Sequence, residues 1–223
     1  MDLLRVYERL RQALGGEDWW RAASPWEVMV GALLTQQTSW GSVERALTSL
    51  QAERLLSPEA LARAPLRRIE ACIRPTGFYR TKARRLRLMA AEVLREARTV
   101  EAFLARPPEA LRRRLLAFEG VGEETADAIL LYAAGHATPV VDAYTRRILG
   151  RLGHPLSGDY EAAARQLRTQ LPDRVEDHRR FHALMVGLGK AYCRPTPRCA
   201  PCPLLDMCPH GQALLRDLPQ SGL

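Results

Sequence analysis

Four of the five cysteines stand within sixteen residues near the C-terminus, Cys193-RPTPR-Cys199-AP-Cys202-PLLDM-Cys208. Thiolates at such gaps converge on one centre only if the chain loops around it, and Pro195, Pro197, Pro201, Pro203 and Pro209 stiffen that loop. A single continuous loop with one central Cys-x-x-Cys suits an iron–sulfur cubane better than zinc, which favours two separated Cys-x-x-Cys pairs; zinc stays the alternative. The expected cofactor is therefore a 4Fe–4S cluster on Cys193, Cys199, Cys202 and Cys208, serving as a staple rather than a redox catalyst. A second stretch, FEGVGEETAD at 118–127, reads as a glycine turn opening a helix. Gly120 and Gly122 permit positive φ and close backbone approach, and amide N–H groups at the helix start can bind a phosphate without any side chain. Glu123 and Glu124 therefore need not abolish docking, and acidic residues in a first turn favour the helix dipole. A third feature is Asp142, which follows Pro139-Val140-Val141 and precedes the basic run AYTRRILGRLG. At a helix start a carboxylate is first of all a cap.

These residues need a scaffold, and the pattern around them is helical almost throughout. Apolar residues recur at helical spacing in PWEVMVGALLTQ, VERALTSLQAERL, ALARAPLRRIEACI, KARRLRLMAAEVLREA, YEAAARQLRTQL and HRRFHALMVGLGKAYC. Ser24-Pro25, Ser57-Pro58 and Pro107-Pro108 each mark a helix head. Only TPVVDA at 138–143 has a briefly extended pattern. The expected fold is all-α, with about ten helices. No apolar run approaches the ~18 residues of a membrane span, so the protein reads as cytoplasmic. A net charge of +8 and a pI near 9.7 favour a polyanionic partner. That charge is almost all arginine: Lys82 and Lys190 are the only lysines.

Taken together, the cysteine loop, GVG…TAD and VVDAYTRRIL some twenty residues later resemble the endonuclease III branch of the helix-hairpin-helix (HhH-GPD) DNA glycosylases. TGFYRTKARRL resembles the family's GLY-x-x-KA segment, and PWEVMVGALLTQQT its first core helix and glutamine turn. The first cysteine gap is one residue shorter than the family's usual loop. The resemblance implies a six-helix barrel domain at roughly 23–131, with its hairpin at about 111–133. It implies a second helical domain from 1–22 and 132–223, carrying the cluster loop 193–208. It further implies a monomer acting on double-stranded DNA that carries a damaged base, with Asp142 as the catalytic aspartate.

One departure bears on the chemistry. Bifunctional members carry GVG-x-K-TA, whose lysine attacks the sugar as a Schiff-base nucleophile; here Glu124 holds that position. A carboxylate forms no imine, so the reading is a monofunctional glycosylase in which water attacks and the strand stays intact. Glu124 itself could orient the water, tune Asp142, or be a solvated helix residue. Base flipping needs a wedge and a pocket. Gln36 and Gln37 lie on the glutamine turn, and Gln37 aligns best with the family's inserted glutamine. Trp19, Trp20 and Trp40 are the pocket residues expected to stack a base, with Trp26 on the first core helix. The Trp doublet and the wording of GVGEETADAILLYA resemble the 3-methyladenine subgroup, which suggests an alkylated base. A mismatch adenine glycosylase is disfavoured, because Ala32 stands where its catalytic glutamate would be. Gly120, Val121, Gly122 and Thr125 of the hairpin, and Arg146 and Arg147 one turn beyond Asp142, are the expected DNA contacts. The alternatives are an endonuclease III-type glycosylase and lyase for oxidised pyrimidines, and a non-catalytic DNA-binding relative.

Overall fold

A computed structural model describes residues 2–15 and 22–216. It is all-α, as expected: the described residues contain thirteen α-helices, two single 3-10 turns and no strand. TPVVDA remains unpaired coil leading into a helix. The helix count exceeds ten because short elements appear where one was expected. Pro65 caps the next helix and divides ALARAPLRRIEACI into α4 (Pro58–Arg63) and α5 (Leu66–Ile73).

The chain forms two compact units. The first, Ala22–His136, holds α2 (Pro25–Leu34), α3 (Trp40–Ala52), α4, α5, α6 (Tyr79–Glu96), α7 (Val100–Leu104), α8 (Pro108–Leu116) and α9 (Glu123–Tyr132). The local chemistry of its helix starts is plain. Ser24 Oγ accepts the N–H of Glu27 at 3.2 Å and Ser57 Oγ that of Ala60 at 3.1 Å, each with proline at the first helical position. Helix α2 is buried all round, with Met29, Val30, Leu33 and Leu34 fully enclosed, so it forms the centre on which α3, α6, α7 and α9 pack. Phe103 of α7 stacks on Phe118 at a centroid separation of 5.7 Å and closes the core beneath the glycine turn.

The second unit, Met1–Arg21 with Ala137–Leu223, holds α1 (Leu3–Leu14), α10 (Ala143–Arg151), α11 (Tyr160–Arg168), α12 (Val175–Ala191) and α13 (Pro209–Arg216). Leu3, Val6, Tyr7 and Leu10 give α1 an apolar stripe that completes a core with Ile148, Leu149, Leu167, Phe181, Leu184 and Met185. The Tyr7 hydroxyl donates to Asp177 Oδ1 at 2.9 Å, tying α1 to α12. Gly189 is fixed by packing: a Cβ there would land on the Tyr144 ring, so α10 and α12 approach closely only because that side chain is missing.

Candidate active site

Asp142 is the N-cap of α10, with φ −92° and ψ 177°. Buried Val140 and Val141 anchor the coil before it, and its Oδ1 accepts the N–H of Thr145 at 2.7 Å. The carboxylate is only 7% exposed. Its Oδ2 lies 3.7 Å from Nε2 of His182 on α12, itself 6% exposed. Burial alone pushes this carboxyl up. The His182 imidazole and the Thr145 N–H more than offset that, holding the group below its ordinary range. A buried carboxylate kept ionised beside a basic helix is suited to stabilise positive charge and to accept a proton.

The glycine turn is braced on several sides. Arg112 of α8 grips Asp127 of α9 through Nε–Oδ1 at 2.7 Å and Nη2–Oδ2 at 3.2 Å, with Asp127 buried. This forked ion pair locks the two hairpin helices and accounts for the aspartate of the TAD stretch. Glu119 is bound by Arg84, with Nη1 2.8 Å from Oε2. Its charge is thus met within the unit. Gly120 has φ +79°, and a Cβ there would strike the Arg85 guanidinium. Gly122 differs: its φ of −93° suits any residue, it is exposed, and a Cβ would meet nothing within 4 Å. Val121 and Thr125 turn their side chains inward, and Glu124 is exposed on the first turn of α9.

Two loops are knotted together by one lysine. Lys82, fully buried, donates from Nζ to the carbonyls of Leu34 at 2.9 Å, Gln36 at 2.8 Å and Thr76 at 2.9 Å. Burial lowers its pKa, yet its three hydrogens are all committed to backbone oxygens. Gln36 Nε2 reaches Gly120 O at 2.8 Å and Thr125 Oγ1 at 3.1 Å, tying the glutamine turn to the hairpin. Gln37 is instead exposed, on left-handed backbone at φ 53°. Phe78, on the second loop held by Lys82, is also left-handed at φ 45° and is 68% exposed. A bulky residue in that strained conformation with its ring in solvent is unusual for a purely structural position.

The cysteine loop hangs from α10. Arg147 Nε donates to Cys193 O at 2.9 Å. Arg151 donates to Cys193 Sγ at 3.3 Å, Arg194 O at 2.6 Å and Pro195 O at 2.8 Å. The four loop thiols are half-buried. Burial, and then the charges of the other cysteines of the loop, push the Cys199 and Cys202 thiols up. Among the described residues no three His, Cys, Asp or Glu side chains already form a closed metal cage. The donor chemistry of the loop, four soft sulfurs with a guanidinium on Cys193, is of the kind a thiolate-bound cluster uses.

Residues 30–173 match the HhH-GPD superfamily of base excision DNA repair proteins. The chain belongs to that superfamily. A Methanocaldococcus jannaschii protein named as a DNA repair glycosylase is 37% identical over 209 residues, which span 92% of this chain and 95% of its own. The H. pylori 3-methyladenine DNA glycosylase (MagIII), bound to 1,N6-ethenoadenine, superposes with a TM-score of 0.74 at 27% identity. That match covers 85% of this chain and 98% of MagIII. A trapped covalent complex of endonuclease III with DNA gives a TM-score of 0.81 at 24% identity, covering 96% and 97% of the two chains. The two-unit helical fold is thus shared with endonuclease III.

Within this HhH-GPD protein the expected site residues are sorted by their surroundings. Gln37, Gly122 and Glu124 face solvent, whereas Gln36, Val121 and Thr125 are spent on holding the hairpin. Arg146 donates to Leu156 O at 3.4 Å and Asp159 O at 3.2 Å, and Arg147 to Cys193 O, so both are half-buried struts of their unit. Trp40 opens α3 with Nε1 donating to Glu44 at 2.9 Å. Trp19 and Trp20 lie outside the described residues. Sequence reasoning passed over Phe78 and His182. The aromatic in GFYR was a usable signal for Phe78; a histidine amid the apolar run of α12 carried none.

Proposed function

We propose that this protein is a monofunctional DNA N-glycosylase that releases a damaged base, of the alkylated 3-methyladenine type, from duplex DNA. The observation that carries the reading is Asp142: a buried carboxylate that caps α10 by accepting the Thr145 N–H, faces His182 and is held toward its ionised form. The departing base takes the bonding electron pair of the N-glycosidic bond. The sugar left behind is cationic at its anomeric carbon, where a fixed carboxylate stabilises it. Water then adds through oxygen and gives its proton to Asp142, leaving an abasic site.

The monofunctional reading is supported by the hairpin, where Glu124 stands at the lysine position, and by Lys82, buried on three carbonyls; Lys190, exposed at the end of α12, is the other lysine. The hairpin offers backbone amides and the open space at Gly122 for a DNA phosphate. Gln37 and Phe78 are the exposed side chains that would fill the gap left by a flipped base. Cys193, Cys199, Cys202 and Cys208 would hold a 4Fe–4S cluster, whose contribution is to staple the loop to α10. MagIII's description as a 3-methyladenine glycosylase supports the choice of an alkylated base.

The test is excision from duplexes carrying single 3-methyladenine, hypoxanthine, thymine glycol, dihydrouracil or uracil lesions, each read with and without alkali. Release of 3-methyladenine with strand scission only after alkali is expected. Nicking without alkali would restore an endonuclease III-type lyase reading, and no release from any lesion would leave a DNA-binding relative.

A further inference from the structure

The two oxygens of Asp142 have different partners. Oδ1 accepts the Thr145 N–H of the helix cap at 2.7 Å, which leaves Oδ2 as the less committed oxygen, and Oδ2 is the oxygen 3.7 Å from His182 Nε2. Both side chains are buried, and they come from different helices of one unit, α10 and α12. Several other ionisable groups on the packed elements are engaged elsewhere. Tyr7 of α1 is bound to Asp177, which also pairs with Arg174, while Arg146 and Arg147 of α10 serve backbone carbonyls. His178, one turn before His182 on α12, has no hydrogen-bond partner for either nitrogen.

We propose that His182 is a positioning residue of this site, aiming the working oxygen of Asp142 and keeping it a carboxylate at neutral and mildly acidic pH. The proposal rests on Asp142 being the catalytic group. A carboxyl so deeply buried drifts toward its neutral form unless an opposite charge or donor faces it. A neutral Asp142 could neither stabilise a cationic sugar nor accept the proton of water. At 3.7 Å the two side chains face each other at more than the length of a closed hydrogen bond. His182 therefore acts through field and steric placement.

Two variants test this. His182→Leu removes the facing group, and His182→Asn keeps a side-chain donor there. In single-turnover excision of the lesion the protein accepts, His182→Leu should lower kcat by about 10²-fold, the scale of a misaligned catalytic group, with KM unchanged. The acid limb of its pH–rate profile should move upward by about one pH unit or more. His182→Asn should recover most of the rate. Independently of activity, a carbon-13 titration of the Asp142 carboxyl should show its pKa higher in His182→Leu than in the parent, and that measurement still decides if no lesion is excised. A rate loss equal at every pH, accompanied by a lower Tm and an unmoved Asp142 titration, would mean His182 is structural only and would overturn the proposal. Should His182→Leu not fold, the same titration on His182→Ala decides: an unmoved Asp142 pKa there, with an unmoved acid limb, overturns it.

Discussion

Two helices of this protein begin with nearly the same backbone and opposite side chains. The cap of α9, Gly122, has φ −93° and ψ −178°; the cap of α10, Asp142, has φ −92° and ψ 177°. Neither geometry demands glycine, and a Cβ at position 122 would meet nothing within 4 Å. Glycine at one start leaves open space at the helix end, while aspartate at the other brings its own anion there. On the function proposed above, one start receives a phosphate and the other supplies a carboxylate. The pair can be broken or sharpened one residue at a time.

The largest effect should come from Asp142→Asn. Asparagine caps a helix about as well as aspartate, so α10 should be kept, with some loss of Tm because the fold favours the charged carboxylate. The charge and proton acceptor are lost, and base release should fall by about 10²–10⁴-fold. Binding to lesion-bearing duplex should persist. Unchanged base release would strip Asp142 of its role and leave the two caps as equal structural devices.

Next is Gly120→Ala, two residues from the α9 cap. Here φ is +79° and the Arg85 guanidinium occupies the space a methyl group would need. The left-handed backbone alone should cost about 1–2 kcal/mol, read as a lower midpoint in urea, with further loss if Arg85 is displaced from Glu119. Gly122→Asp makes the opposite statement. It gives α9 the cap of α10, so the fold should hold or gain a few tenths of a kcal/mol. Affinity for duplex DNA should drop by about tenfold at fixed salt as a second anion meets the phosphate. A Gly122→Asp variant that binds DNA normally would show that this helix start is not where the backbone docks.

The same contrast explains what could be read in advance. The cysteine loop, the GVG turn and the Asp142 cap could be picked out because each signal is local: spacing, turn stereochemistry and a cap. The scarcity of lysine was legible for the same reason, though only the fold reveals Lys82 fully engaged by three carbonyls. What could not be read is which polar side chains tertiary packing would use up. Gln36 and Gln37 are identical neighbours, yet the first braces the hairpin and the second stands in solvent because its backbone turns left-handed. Arg146 and Arg147 looked like exposed cations on a helix, yet carbonyls of the loop after α10 claimed the first and a carbonyl of the cysteine loop the second. His182 became visible only when α12 was laid against α10.

The smallest effect concerns the helix that backs the α10 cap rather than either cap. His178 on α12 is 1% exposed, and neither ring nitrogen has a hydrogen-bond partner. Burial is the main cause that lowers its pKa, with Arg168 acting in the same direction against Asp173 and Asp177. The native state therefore holds this imidazole neutral where the unfolded chain would protonate it. As pH falls below the ordinary histidine value near 6.5, the unfolded state gains a proton that the folded state refuses, and stability declines until the folded pKa is reached. His178→Leu removes both the orphaned nitrogens and this titration. Its urea midpoint should exceed the parent's modestly at pH 7.5, since an unsatisfied buried polar group costs about 1–3 kcal/mol, offset in part by the change of shape. The gap should widen toward pH 5.5. Parallel pH profiles for parent and variant would show that His178 finds a partner in solution. Widening profiles with wild-type excision by His178→Leu would separate it from His182, one turn along the same helix, where a change should move the rate.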